Sequence, residues 1–201
     1  MPFPGDNGIV FGDPVVLRTA RLILHQITES DGAGLFDIFS DSRVTEHYAW
    51  DTFTSIDQGH ALAAKTASQF RQGEALRWGL LPHGGAQIIG TCGYTRWNQD
   101  NHFAVIGYDL ASRHWRQRLM TEAVTAVLRH GFEQMRLNRV EATVLTGNTA
   151  SIALLKRIGF HHEGELRERA FHRGRHHDVH MFGLTRTDWA ASTRRSGKDA
   201  F

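Results

Sequence analysis

Residues 105–135 read VIGYDLASRHWRQRLMTEAVTAVLRHGFEQM, and this stretch decides the fold. It opens as a strand. Phe103, Val105, Gly107 and Asp109 alternate with Ala104, Ile106, Tyr108 and Leu110, mostly β-favouring types. A short basic loop, Ala111 to Arg118, follows. The chain then takes a helical period, with Met120, Val124, Val127, Gly131 and Met135 at three- and four-residue steps and Ala123, Leu128 and Phe132 widening the stripe. A strand feeding a helix through a tight loop aims the helix's first N–H groups past the strand end, where they and the helix dipole favour an anion. Arg113, His114, Arg116 and Arg118 add side-chain charge to that site.

Working outward, residues 1–14 hold three of the four prolines and read as an irregular lead-in. Leu17 to Ile27 alternates as a first strand, and Asp31 precedes a helical pattern through Leu35, Ile38 and Phe39. Ser42 to Tyr48 predicts a short helix, and Ser55 or Asp57 caps a longer one to Gln72. Arg77 to Leu81 and Gln87 to Trp97 form a hairpin, and Asn98 to Asn101 turns the chain into the central strand. Beyond the central helix, Arg139 to Leu145 is a strand. Asn148 or Thr149 then caps a helix that Gly159 stops. Phe160 to Arg169 and His177 to Leu184 are the last strands, and the small, polar, basic segment 190–201 is expected to lack structure. The element order indicates a mixed α/β sheet with helices on both faces, in one domain over residues 15–189.

Composition excludes several classes. Of 201 residues, 41% are hydrophobic and 22% charged, as in ordinary soluble domains. A net charge of +2 gives no argument for nucleic acid, and no apolar run approaches a membrane span. The single cysteine, Cys92, forbids an intrachain disulfide and fits a reducing compartment. The start, MPFPGDNG, lacks a signal peptide's apolar core, so a cytoplasmic location is expected. The histidines of the last two strands, including His176 and His180 around Asp178, invite a metal reading, but no cysteine accompanies them and no metal is expected.

Several motifs share one order along the chain: Thr19-Ala-Arg21-Leu22-Ile-Leu24, Ile106-Gly107-Tyr108, Trp115, Thr121-Glu122-Ala123, Asn148-Thr-Ala-Ser151-Ile152, Gly159-Phe160 and Glu163-Gly164-Glu-Leu-Arg167. Together they resemble the GCN5-related N-acetyltransferases (GNAT), in particular the RimJ/RimL-type branch that acetylates ribosomal-protein N-termini. The resemblance implies a mixed, mostly antiparallel twisted sheet, its two central parallel strands splayed apart around acetyl-CoA as co-substrate. It implies transfer to a primary amine, either a protein N-terminus or a small amine, by direct attack in a monomer or homodimer.

Phosphate binding falls to the N–H groups of Arg116, Gln117, Arg118, Leu119, Met120 and Thr121, reinforced by Arg113, Arg116 and Arg118. By resemblance, the backbone from Asp109 through Leu110 and Ala111 pairs with the pantetheine amides, and Asn148 combines a helix cap with a pantetheine contact. Ser151 faces the thioester or simply packs. By resemblance Glu163 is the leading candidate base, with Asp109 second because it ends the central strand near the site; either is otherwise simply a surface carboxylate. Two departures stand out. The family's phosphate loop carries glycine where Arg116 and Arg118 stand, and Leu155 occupies the position of the tyrosine that often protonates the thiolate. Glycine supplies positive φ and close backbone approach, so the arginines either replace backbone donors with guanidinium donors or obstruct the donor. The obstructed case corresponds to a non-catalytic CoA-binding or interaction module.

Overall fold

The alternation read over Phe103–Leu110 is the fifth strand of a single eight-stranded sheet in a computed structural model that describes residues 15–48 and 50–196. The elements are β1 (Leu17–Arg18), β2 (Leu22–Gln26), α1 (Gly32–Phe39), α2 (Ser42–Thr45), α3 (Ile56–Arg71), β3 (Leu76–Pro82), β4 (Gly90–Asn98), β5 (Phe103–Leu110), α4 (Leu119–Glu133), β6 (Arg139–Leu145), α5 (Thr149–Ile158), β7 (His161–His172), β8 (Arg175–Thr185) and α6 (Arg186–Ser196). The strand order is β1-β2-β3-β4-β5-β6-β8-β7. Among the described strands, only β5 and β6 run parallel.

That parallel pair is short. Phe103, Ala104 and Val105 face Arg139, Val140 and Glu141, and beyond these the strands cease to pair. Their parted ends make the opening in which the site lies. Ala104, Ile106 and Leu110 on one face of β5 pack against Ala123, Val124 and Val127 of α4 and Leu155 of α5. Ala111, one step past the strand, joins Ile27, Leu35, Ile38, Phe39 and Ala63 under α1 and α3. The strand and the residue just after it therefore reach two separate cores. Gly131 allows the closest approach of α4 to the sheet. A Cβ there would stand 2.0 Å from the Tyr94 hydroxyl, which donates to the Val127 carbonyl at 2.9 Å.

Some expectations change. The single strand Leu17 to Ile27 is a hairpin, because Thr19 turns back on Leu22: its N–H and hydroxyl both meet the Leu22 carbonyl. The segment from Ala190 is helical through Ser196, as part of α6. The Thr185 hydroxyl and Asp188 carboxylate exchange hydrogen bonds with each other's backbone N–H at the start of this helix, and Trp189 stacks on Phe132 with ring centroids 5.7 Å apart. The lead-in at residues 1–14 and the last five residues lie outside the described part. No described helix is long and apolar enough to cross a membrane.

Candidate active site

A cavity of about 750 Å³ opens between the parted ends of β5 and β6. Its walls come from four places: the end of β5, the basic loop with the first turn of α4, α5 with its cap Asn148, and α2 with the segment after it. Of the residues expected to serve the site, Asp109, Leu110, Arg116, Arg118, Leu119, Met120, Thr121, Asn148 and Ser151 line it.

The basic loop keeps the backbone of a glycine loop without the glycines. Arg116 and Arg118 both have φ of 61°, in the left-handed region. For an L residue this costs roughly 1–2 kcal/mol. Arg118 is the N-cap of α4 and gives the helix no side-chain cap, so the first N–H groups of α4 are left for a ligand. Among the described residues, no side chain pairs with the guanidinium of Arg116 or Arg118. The loop therefore has the left-handed backbone that glycine favours, with two uncommitted cations at its rim.

Three of the expected donor contacts sit elsewhere. Arg113 turns away to Asp37 on α1, at 2.6 Å, and is not part of the cavity wall. Gln117 is also outside the wall; its carbonyl accepts from Arg21 at 3.0 Å. Ala111 is buried in the α1 cluster, and its N–H is taken by the Ile89 carbonyl at 2.8 Å. The Leu110 carbonyl is also engaged, by the Trp115 indole N–H at 2.7 Å.

Across the opening, the Asn148 side chain accepts from the Ser151 N–H at 3.1 Å, which sets the first turn of α5. Ser151 Oγ lies 2.6 Å from the Tyr108 hydroxyl. Burial holds the Tyr108 phenol above its ordinary range, although the bond to Ser151 works the other way. The phenol thus keeps its proton across neutral pH. Leu155 is fully buried in the core, so the usual tyrosine position is filled by packing.

The two carboxylates expected as bases have different fates. Glu163 is bound by Arg139, which also holds Glu141, and this contact lowers its carboxyl. Arg139 begins β6, and the cavity lies past its other end at Leu145, six residues or about 20 Å away. Glu163 is therefore outside the site. Asp109 lines the cavity from the face opposite Tyr108, with its side chain wholly buried. One oxygen accepts from Thr91 and Arg77, and the other has no protein partner. Burial pushes the Asp109 carboxyl well up and the Arg77 guanidinium down to about 10.

The histidines make local bonds. His162 meets His180 at 3.0 Å, and His172 reaches the Glu46 carbonyl at 2.8 Å, joining the β7–β8 hairpin to the segment after α2. Among the described residues, no three His, Cys, Asp or Glu side chains converge as metal ligands.

The Acetyltransferase (GNAT) domain model matches residues 21–161, which hold the loop, both parted strands and Ser151. The chain belongs to the GNAT acetyltransferases. It is 33% identical over 171 residues to the N-acetyltransferase YoaA of Bacillus subtilis, covering 85% of this chain and 97% of that one. It is 26% identical over 183 residues to the ribosomal protein uS5-alanine N-acetyltransferase of Escherichia coli, covering 87% and 93%. Its fold matches RimL, a ribosomal L7/L12 α-N-protein acetyltransferase solved in complex with coenzyme A, with a TM-score of 0.78 at 20% identity over 85% and 98% of the two chains. The GNAT fold and an acyltransferase activity follow.

The cavity is also lined by residues that the sequence did not advertise. Tyr108 enters the sequence analysis as a strand residue and as part of the Ile106-Gly107-Tyr108 motif, with no role of its own; its place on the same face as Ile106 and Leu110 is the available signal. Arg157 lies one turn beyond Leu154 on the lining face of α5 and adds a cation near the loop. Glu46, His47 and Tyr48 close the other side of the cavity through tertiary contacts that no local pattern encodes.

Proposed function

We propose that the protein transfers the acetyl group of acetyl-CoA to a primary α-amine, with the N-terminus of a protein as the preferred acceptor class. The carrying observation is one continuous cavity with uncommitted arginines and helix N–H groups at one end and the Tyr108–Ser151 pair at the parted strands. The donor's phosphates fit the first end, through α4 N–H groups and the guanidinium groups of Arg116 and Arg118. Asn148 lies where the pantetheine arm passes.

The amine nitrogen attacks the acetyl carbonyl carbon, the carbon–sulfur bond breaks, and the proton lost by nitrogen ends on sulfur. With the Tyr108 phenol donating to Ser151 Oγ, the serine proton is free to point at the departing sulfur and stabilise its charge. Asp109 is committed to Arg77 and Thr91 and is a poor mobile base. An α-amine, with an unperturbed pKa of about 8, is already partly neutral and asks least of such a site; a lysine-type amine near 10.4 asks more. The names of the uS5-alanine and L7/L12 relatives support a protein N-terminus.

The test is release of the CoA thiol over a panel of peptides with free α-amines, the same peptides with blocked N-termini and a free lysine, and small amines. Release with the free α-amines above all others is expected. Preference for lysine or small amines would overturn the acceptor assignment. Tight acetyl-CoA binding with no release from any amine would instead mark a CoA-binding module.

A further inference from the structure

The loop that holds two left-handed arginines is clamped from outside. Arg21, in the turn between β1 and β2, reaches it across about a hundred residues of sequence. Its backbone N–H donates to Glu122 Oε1 at 2.8 Å, and its Nε and Nη2 meet Glu122 Oε2 at 2.8 and 2.7 Å. Its Nη1 donates to the Gln117 carbonyl at 3.0 Å. Gln117 is the residue between Arg116 and Arg118, and Glu122 stands in the first turn of α4. One guanidinium therefore fixes the midpoint of the loop and the first turn of the helix that the loop feeds. Burial raises the Glu122 carboxyl, but the bonds from Thr19 and Arg21 outweigh it and leave the group below its usual range, hence charged. The acid of that first turn is more than a partner for the helix dipole.

We propose that Arg21 is a positioning residue for the donor: through Gln117 it holds Arg116 and Arg118 in the left-handed form that glycine would adopt unaided, and so keeps the α4 N–H groups aimed at the phosphates. Arg21 itself faces the far side of the loop and is outside the wall of the main cavity. Its planar fork spans two acceptors on different segments, which a lysine ammonium on a flexible stem does not. Glycine at 116 and 118 would make the clamp redundant, because glycine populates positive φ freely. This inference rests on the reading of the loop as the phosphate site.

The experiment compares Arg21→Lys with the parent, using acetyl-CoA and acetylpantetheine, which lacks the nucleotide phosphates, as donors. With acetyl-CoA, KM should rise on the order of tenfold, as for the loss of one charge-assisted hydrogen bond. The kcat and the acceptor KM should stay within about twofold, and acetylpantetheine kinetics should not change. In an Arg116→Gly/Arg118→Gly background, the same Arg21→Lys change should cost less than about threefold, since the coupling has been removed. A merely structural role for Arg21 would impair both donors alike, or cost as much in the glycine background; either result overturns the proposal. Glu122→Gln, which keeps the shape and removes the charge, should repeat the acetyl-CoA-specific loss, and its failure to do so counts against the clamp. A parent that does not bind acetyl-CoA at all defeats the donor reading itself. A parent that binds it, with Arg21→Lys unchanged, defeats only the role of Arg21.

Discussion

Glu163 is held by Arg139 and stands outside the cavity wall. Its carboxylate is tied to Arg139 at the closed end of β6, while the cavity lies at the open end. Glu163→Gln should therefore leave kcat and kcat/KM within about twofold, whereas loss of a general base costs on the order of 100-fold or more; steady-state rates decide. His130 offers a second single-residue test, of stability. Its ring packs edge-on against Trp78, its Nε2 is buried without a partner, and burial lowers its pKa. The unfolded chain, with a histidine pKa of about 6.5, then binds more protons than the folded one between the two values. This contribution to stability is full above about pH 6.5 and is lost as pH falls through the folded pKa. Chemical denaturation from pH 8 to 5 should show a shallower decline for His130→Leu than for the parent.

At the scale of elements, the phosphate loop separates shape from charge. Both Arg116 and Arg118 already have positive φ, so Arg116→Gly with Arg118→Gly changes little in the backbone. The double variant should gain stability, roughly 1–2 kcal/mol per relieved residue, less the entropy glycine returns to the unfolded chain. It should also bind acetyl-CoA more weakly, and the deficit should shrink as salt is raised. Thermal melts and calorimetry measure the two effects separately; tighter binding would mean that the arginines obstruct. At the start of α5, Asn148→Ala should lose about 1 kcal/mol of stability with the cap, together with turnover as Ser151 loses its support. Unchanged turnover in the destabilised variant would leave Asn148 as a cap alone.

These two elements also show what a sequence makes legible. The bounds of β6 and α5 could be read because their signals are local: a five-residue alternation, an Asn cap, a Gly stop at φ of 106°. The Thr19 turn and the α6 cap were also local, but they use side-chain hydroxyls that looked like ordinary strand and tail residues. Tyr108 and Ser151, 43 residues apart, meet only through the packing of α5 on the sheet. The commitments of Arg113 to Asp37 and of Glu163 to Arg139 are equally nonlocal, and a charge pattern cannot distinguish a free cation from a spent one.

At the scale of the whole molecule, the sheet is interrupted at its centre rather than at its rim. β4 pairs with β5 along nearly its full length, and β8 follows β6 from Arg139 to Leu145, yet β5 and β6 hold each other through three residues each. The backbone amides that face the gap beyond Val105 and Glu141 have no ladder partner across it. In deuterated solvent these amides should exchange far faster than their neighbours, although they sit in the middle of the protein. Acetyl-CoA, lying along the gap, should slow exchange at residues 107–110 while leaving 103–105 as they were. Equal protection of both segments in the free protein would contradict this. With the expected pattern the molecule carries its own occupancy gauge, since the labile centre of the sheet becomes protected only when the donor fills it.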